Sequence, residues 1–325
     1  MKINDIKKSN QKKTKIMNDK NQQLVSNTLL DLKPLNSSFQ IQSDTDSVSI
    51  VPEQIEKVEL ASENPIPVSG YKEQNENYSE ELDEINKSFN FSKYPNDQIA
   101  EVIIGTDDRK RINQTTSWPY LTHGHMVIKF PNNKVYIGSG TIVNKHHVIT
   151  AGHCVFSKRD GGWAKSVMFY PAQNDNYLPF GGIPVVKLWS VKGWTEKSDT
   201  NWDFGMLILN EEIYKKTGHL GIIAYRDHRK LLRHRVNVTG YPGDKGGRQM
   251  WTHADIIKST SNQRVIYDID TMGGQSGSGV WSKFDNYKPY HVCAIHTTGD
   301  YSGNGATRIS MALFDSIVKI MSSSF

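Results

Sequence analysis

Short apolar runs follow one another along the chain from Met126 onward, with turn residues such as Gly, Pro, Asn and Asp between them. Runs of this length that are rich in β-branched and aromatic residues predict β-strands. The predicted strands are residues 126–130, 135–143, 148–150, 167–170, 185–191, 204–210, 236–240, 265–269 and 291–295. Because no helical period alternates with these runs, we predict an all-β fold of two antiparallel barrels rather than a parallel α/β sheet.

The pattern changes to a helical period near the carboxyl end of the chain. Apolar residues at helical spacing follow Ser310, whose hydroxyl is suited to cap a helix N-terminus. These apolar residues are Leu313, Phe314, Ile317, Ile320 and Met321. We therefore predict a C-terminal helix that begins after Ser310 and packs on the second barrel.

The first hundred residues have a different composition from the rest. Residues 1–101 are rich in Asn, Gln, Ser, Lys and Glu, whereas all seven tryptophans lie beyond them. A basic block precedes residue 34, and an acidic block covers residues 44–83. Charge blocks with few apolar residues are typical of disordered segments. We predict a mostly disordered segment 1–101 and a folded domain 102–325.

Charge and hydropathy argue against two kinds of partner. A net charge of +5 on 325 residues is too modest to indicate nucleic-acid binding. No apolar stretch reaches the roughly 20 residues that span a membrane. Nor do about 7–15 apolar residues follow the N-terminal lysines, as they would in a secretory signal. We expect no nucleic-acid partner and no membrane insertion, and no export signal is visible.

The stretch 271–281, which reads TMGGQSGSGVW, contains too many small side chains to fill a core. Glycines on both sides of Ser276 allow a sharp turn that presents its hydroxyl outward. The same turn aims the backbone N–H groups of Gly274 and Ser276 at one point, as an oxyanion hole requires. A Gly/Ser cluster is equally compatible with an ordinary loop, so the interpretation depends on a base and an acid elsewhere.

Two apolar strands supply these groups. The stretch VITAGHC (148–154) begins as a β-branched apolar run and ends just after His153. The stretch NWDFGMLIL (201–209) places Asp203 at the start of a second apolar run. A serine hydroxyl becomes a useful nucleophile when a histidine takes its proton and a carboxylate fixes the histidine tautomer. The chain order His153, Asp203, Ser276 is the order of this triad on double β-barrels. We predict that these three residues are catalytic and that neither a cofactor nor a metal is needed.

TAGHC around His153, NWDFG around Asp203 and GGQSGS around Ser276 resemble the chymotrypsin-like serine proteases, and more narrowly the bacterial glutamyl endopeptidases. VIIGTDDR (102–109), TTSWPY (115–120), VNVTGYPGDK (236–245) and IDTMGGQSGS (269–278) are similar to the same subfamily. The resemblance covers the chain from about residue 102 onward. It implies a chymotrypsin-like double barrel and a secreted, monomeric serine endopeptidase that cleaves polypeptides after Glu and less readily after Asp.

The same resemblance implies roles for residues outside the triad. Thr271 and His296 stand where the resembling enzymes line the pocket for the acidic side chain of the substrate. Those enzymes lose a propeptide at the position before Val102, and in some of them the new amine also meets the substrate carboxylate. Glu101 is the residue that a glutamate-specific protease would select there. We expect residues 1–101 to be a propeptide released after Glu101; the alternative is a glutamate that precedes a strand by accident.

Some residues depart from the pattern or remain without a role. Gln275 stands where pancreatic relatives have an aspartate, so activation by burying a new N-terminus against that acid cannot operate. His253 and Asp107-Asp108-Arg109 match the subfamily but receive no role from the sequence. We predict that Cys154 and Cys293 are free, buried thiols, because the strand upstream of Cys154 contains no cysteine.

Two alternatives to a glutamate-specific protease stay open. The first is a serine protease of other specificity, which exchange of Glu for Lys in a test peptide would distinguish. The second is a non-catalytic, toxin-like binding protein on the same scaffold, in which an organophosphate would leave Ser276 unlabelled.

Overall fold

The computed structural model describes residues 40–42, 47–49, 67–69, 76–88, 101–284, 290–300 and 303–323. Two closed antiparallel barrels of six strands each make up the part beyond residue 101. The first barrel contains, in order around it, Ser166–Pro171, His123–Lys129, Val135–Ile142, His147–Thr150, Gly205–Leu209 and Ile183–Val191. Pairing of Phe169 with Ile183 closes this barrel, so the predicted fold class is confirmed.

The second barrel is built in the same way. Its strands are His291–Asp300, Gly279–Ser282, Arg235–Gly240, Trp251–Thr260, Arg264–Tyr267 and Gly303–Arg308. Pairing of Ile295 with Thr307 closes it. The predicted strands are all present, with ends that shift by a few residues. Trp251–Thr260, Gly279–Ser282 and Gly303–Arg308 were not predicted, because they carry mixed or small polar side chains instead of an apolar run.

Shorter elements fill the connections between barrel strands. The two-residue strands are Lys110–Arg111, Phe156–Ser157, Gly162–Trp163 and Gly221–Ile222. The short α-helices are Gly152–Val155, Lys192–Lys197 and Tyr214–Thr217. Single 3-10 turns lie at Tyr120–Thr122, Lys158–Asp160, Thr200–Trp202, His228–Leu231 and Gly243–Lys245.

Part of the predicted disordered segment docks on the first barrel. Pro67–Ser69 pairs with the barrel strand that ends at Val191. The helix Glu76–Ser88 buries Leu82 completely against a cluster of barrel side chains, and the Tyr170 hydroxyl donates to Asp83 at 2.7 Å. The separate pair Gln40–Gln42 and Ser47–Ser49 forms a two-stranded sheet. Charge blocks alone did not predict this docked helix.

The C-terminal helix Met311–Ser323 follows the prediction. The Ser310 hydroxyl accepts the Leu313 N–H at 3.3 Å, and all five of the predicted apolar residues are buried. They share one cluster with side chains of the first barrel as well as with Val292 and Ile309. The helix therefore packs at the boundary between the barrels and not on the second barrel alone.

Two further sequence predictions can be compared with the structure. Cys154 and Cys293 are both buried free thiols, as predicted. No helix within the described ranges has the length and apolar character needed to cross a membrane.

Replacement of Phe314 tests how far the C-terminal helix stabilises the barrels. Phe314→Ala removes a fully buried ring, and such truncations cost about 3–5 kcal/mol. We expect a loss of that size in the free energy of unfolding, measured by urea denaturation. Lys319→Ala, on the exposed face of the same helix, is the control and should change stability by less than about 0.5 kcal/mol. Similar losses in the free energy of unfolding for the two variants would contradict the conclusion that this helix stabilises the barrels through its buried face.

Candidate active site

His153 and Asp203 meet at one edge of the first barrel. The strand before His153 pairs with the strand after Asp203, with Thr150 opposite Gly205. The imidazole Nδ1 lies 2.8 Å from Asp203 Oδ2, and the His153 backbone N–H donates to Asp203 Oδ1 at 2.8 Å. Both side chains are buried. The carboxylate therefore fixes both the ring and the backbone that carries it.

Asp203 also determines the protonation behaviour of His153. Burial by itself lowers a histidine pKa, and it lowers the pKa of the buried His123 to about 3. At His153 burial acts in the same direction, but the charge and hydrogen bond of Asp203 outweigh it and raise the pKa well above the ordinary value. A ring of this kind accepts a proton readily and is held in one tautomer.

The loop around Ser276 adopts the turn that its glycines predict. Gly274 has φ +100°, and a Cβ there would lie 2.5 Å from the Tyr241 carbonyl oxygen. The N–H groups of Gln275 and Gly277 donate to carbonyl oxygens. Those of Gly274 and Ser276 have no such acceptor among the described residues. Two N–H groups on one turn are thus left for a ligand oxygen.

The first barrel holds this loop next to His153. Ser139, on a first-barrel strand, donates its N–H to the Ser276 carbonyl at 2.9 Å and its hydroxyl to the Gly274 carbonyl at 2.8 Å. Cys154, which follows His153, has its Sγ 3.8 Å from the same Ser276 carbonyl oxygen. These contacts place the loop that carries Ser276 next to the His153-Cys154 segment where the barrels meet, and the structure pairs His153 with Asp203 but directs the Ser276 hydroxyl to Glu101.

Thr271 and His296 are both fully buried. His296 borders the space beside Ser276 that holds the Glu101 carboxylate, and this space is called the pocket. His296 Nδ1 lies 2.7 Å from the Tyr267 hydroxyl. Thr271 Oγ1 and His296 Nε2 have no hydrogen-bond partner in the described part of the chain. Buried polar atoms are normally satisfied, so these two favour a site for a polar ligand.

Glu101 occupies this pocket in the uncleaved chain. The Ser276 hydroxyl donates to Glu101 Oε1 at 2.6 Å, and the same oxygen lies 3.4 Å from His296 Nε2. The serine hydrogen is therefore directed at Glu101 and not at His153. The sequence suggested a cleavage point at Glu101, but it contained no signal that this carboxylate folds back onto the nucleophile.

Val102 lies against the wall of the pocket. Its N–H donates to Asn304 Oδ1 at 3.1 Å, and its carbonyl accepts from Asn304 Nδ2 at 2.7 Å. The same carbonyl accepts the Thr271 N–H at 3.3 Å. Asn304 belongs to the unpredicted strand Gly303–Arg308, so no pattern in the sequence indicated its contact with residue 102.

Asp270 anchors the next residues of this segment and explains the position of His253. Its carboxylate accepts the N–H groups of Ile104 and Asp108 at 2.7 and 2.8 Å, and its own N–H donates to His253 Nδ1 at 2.8 Å. Asp108, His253 and Asp270 also bring potential metal-ligand atoms within 4.8 Å. His253 Nδ1 has one lone pair, which accepts the Asp270 N–H, and both Asp270 oxygens accept backbone N–H groups, so the group does not fit a metal centre.

Arg109 extends this anchor to the nucleophile loop. Its buried guanidinium forms paired hydrogen bonds with Asp107 and with Asp244. It also lies 3.4 Å from Gln275 Oε1, which accepts the Met272 N–H at 3.1 Å. Gln275, the residue preceding Ser276, thus links the nucleophile loop to the segment that contains Arg109.

Comparisons with known proteins agree with this geometry. An extracellular metalloprotease of Bacillus subtilis strain 168 is 39% identical over 218 residues, which are 66% of this chain and 68% of that protein. A glutamyl endopeptidase of Bacillus licheniformis is 32% identical over 221 residues, which are 66% of this chain and 67% of that protein. A glutamyl endopeptidase of Staphylococcus aureus strain MW2 is 24% identical over 234 residues, 70% of this chain and 67% of that protein. Profiles of protein families give no match.

Solved structures show the same fold. A Glu endopeptidase in complex with MPD superposes with a TM-score of 0.59 at 24% identity, covering 66% of this chain and 97% of that one. The protease Anisep from Arthrobacter nicotinovorans superposes with a TM-score of 0.53 at 17% identity, covering 62% and 96%. Taken with the sequence relatives and the two barrels, these matches show that the chain belongs to the glutamyl endopeptidases, a family of chymotrypsin-like serine endopeptidases.

Proposed function

We propose that residues 102–325 form the active endopeptidase, with Ser276 as nucleophile, His153 as general base and acid, and Asp203 as the group that orients it. His153 takes the Ser276 proton as the hydroxyl attacks the scissile carbonyl, and it then gives that proton to the leaving amine. The N–H groups of Gly274 and Ser276 stabilise the oxyanion of the intermediate. No step requires a cofactor.

The proposed preference for Glu is supported by the groups that lie in the pocket. A carboxylate, that of Glu101, already lies between the Ser276 hydroxyl and His296 Nε2. Thr271 and His296 supply unpartnered polar groups in the same pocket. Hydrogen bonds to a carboxylate contribute about 1.5–3 kcal/mol each. Asp is shorter by one methylene and reaches these groups less well, so it should be the poorer substrate.

Paired peptides that differ only in Glu or Lys before the cleaved bond test the nucleophile and the pocket together. The processed enzyme should cleave the Glu peptide and leave the Lys peptide intact. Ser276→Ala should lower kcat by roughly six orders of magnitude, as loss of the nucleophile does in other serine proteases. Ser282→Ala, at the end of the strand Gly279–Ser282 that follows the nucleophile loop, should keep full activity. Cleavage of the Glu peptide by Ser276→Ala at an undiminished rate would exclude the proposed mechanism.

Replacement of Asp203 tests the acid–base pair. Asp203→Asn removes the charge that raises the pKa of His153, and an amide no longer selects the catalytic tautomer. We expect kcat to fall by roughly four orders of magnitude. The activity that remains should have its acidic limb at lower pH than the wild-type limb, because a ring with a lower pKa stays neutral to lower pH. An acidic limb that stays at the wild-type pH would indicate that a group other than His153 controls the pH dependence of activity.

We further propose that residues 1–101 are a propeptide that keeps the enzyme latent. Glu101 accepts the serine hydrogen that the general base needs, and it occupies the substrate pocket. Its side-chain carboxylate, and not its peptide carbonyl, hydrogen-bonds to Ser276. This geometry favours cleavage after Glu101 by a second enzyme molecule over cleavage of the bond in place.

Cleavage would free the amine of Val102 beside the pocket. Its carbonyl is bonded to Thr271 and Asn304, so the new ammonium group would lie close to the substrate carboxylate and complement its charge. Val102 is then the third element of the pocket, with Thr271 and His296.

Replacement of Glu101 tests latency and processing. Wild-type protein should mature to a form that begins at Val102, read by N-terminal sequencing as activity appears. Glu101→Gln should remain full-length and inactive, because the glutamate-specific pocket rejects the neutral residue. Glu84→Gln, at an exposed position of the docked helix, is the matched control and should mature normally. Maturation of Glu101→Gln at the wild-type rate, or a start far from Val102, would contradict the proposal.

The remaining parts of the proposal concern location and partners. One relative is named an extracellular protease, which supports action outside the cell on polypeptides with Glu at the cleavage site. One chain supplies every proposed site residue, so a monomer would hold a complete site. The same relative is named a metalloprotease. The atoms of Asp270 in this chain are already bonded to backbone groups and do not fit a metal, so the proposed mechanism has no metal-dependent step.

A further inference from the structure

Tyr267 lies behind the pocket and contacts its histidine directly. The phenol is fully buried in the second barrel, and its oxygen is 2.7 Å from His296 Nδ1. The opposite ring nitrogen, Nε2, is the one that faces the carboxylate of Glu101 at 3.4 Å. The two nitrogens of one imidazole therefore connect a buried hydroxyl with the position proposed for the substrate carboxylate.

The direction of the Tyr267 hydrogen bond follows from the groups present. Burial raises the pKa of the Tyr267 phenol well above its ordinary value, so the oxygen keeps its hydrogen. Among the described residues His296 Nδ1 is the acceptor within reach of that hydrogen. An imidazole that accepts at Nδ1 is neutral and carries its own hydrogen on Nε2.

We propose that Tyr267 is a specificity-determining positioning residue, which holds His296 as the neutral tautomer that donates Nε2–H to the carboxylate of a substrate Glu. This inference rests on the proposed function, because it assumes that Thr271 and His296 form the Glu pocket. It adds that the pocket recognises a carboxylate without a charged histidine.

The charged and titratable groups that face this pair come from several segments. Glu101 faces it from the segment before the barrels, and Arg264 and Cys293 act on Tyr267 from neighbouring strands. Burial raises the pKa of Cys293 to about 12, so that thiol stays neutral. The Arg264 guanidinium is bonded to Thr297 and Thr298 and keeps its charge throughout. Once Glu101 has departed, the freed amine of Val102 is the proposed pocket group whose ordinary pKa, about 7.7–8.0, lies between pH 6 and 9.

The test compares two peptides that differ only in Glu or Gln before the cleaved bond, over pH 6 to 9. The ratio of their kcat/KM values cancels the titration of His153, which affects both peptides equally. Each variant is processed by immobilised wild-type enzyme and then separated from it. For the wild type we expect a ratio that favours Glu throughout this range, and any fall as the Val102 amine loses its proton should be the same in the variants, since all of them carry that amine.

Tyr267→Phe removes the hydroxyl and keeps the ring. His296 can then adopt the neutral tautomer with its hydrogen on Nδ1, which has no Nε2–H to donate to the carboxylate of Glu. The ratio should therefore lie below the wild-type ratio at the same pH, by up to about tenfold. Tyr136→Phe is the control, since Tyr136 is a buried tyrosine whose hydroxyl donates to Asp160 in the first barrel. Its ratio should match the wild type.

The possible results distinguish failure of the proposed Glu pocket from failure of the proposed role of Tyr267. A wild-type enzyme with no preference for Glu over Gln overturns the proposed pocket and the role of Tyr267 with it. A preference that Tyr267→Phe retains at every pH overturns the role of Tyr267 alone. Should that variant fail to fold, nitrogen NMR of histidine-labelled Ser276→Ala protein gives the same decision. A neutral His296 protonated on Nε2 supports the proposal, and one protonated on Nδ1 overturns it.

Discussion

The contact of one first-barrel serine with the nucleophile loop is the constraint on which the site depends. His153 and Asp203 belong to one barrel and Ser276 to the other, so the catalytic geometry is determined where the barrels meet. Ser139 bonds the carbonyls of Gly274 and Ser276 from across that boundary, and its hydroxyl also accepts the Tyr241 N–H. Gly277 allows this approach, because a Cβ there would lie 2.1 Å from Thr150 Oγ1.

Buried charge is compensated at nearly every point of the site. Asp203 is paired with His153, Asp270 with backbone N–H groups, and Arg109 with two carboxylates. Glu101 is the exception, because its Oε2 is buried without a hydrogen-bond partner in the described chain. A buried carboxylate with an unsatisfied oxygen is costly. Water can solvate that oxygen once the chain is cut, which favours departure of Glu101 from the pocket.

The sequence predicted the parts of the molecule in which local chemistry decides the structure. Apolar β-branched runs identified most barrel strands, and small residues around Ser276 identified the turn. It did not predict Gly303–Arg308, where Asn304 is buried because it bonds to Ile269 and Val102 and not because it is apolar. The contacts of Glu101 and Tyr267 depend on residues distant in sequence, so no spacing or period could reveal them.

The anchoring of the segment after Glu101 limits what the proposed cleavage would release. Ile104 is fixed through its N–H to the buried Asp270, and each residue of extended chain spans at most about 3.6 Å. An amine at position 102 consequently stays within about 7 Å of that fixed point. Its local concentration at the pocket is far above that of any dissolved amine. A freed terminus on so short a tether is insensitive to dilution and to competing cations.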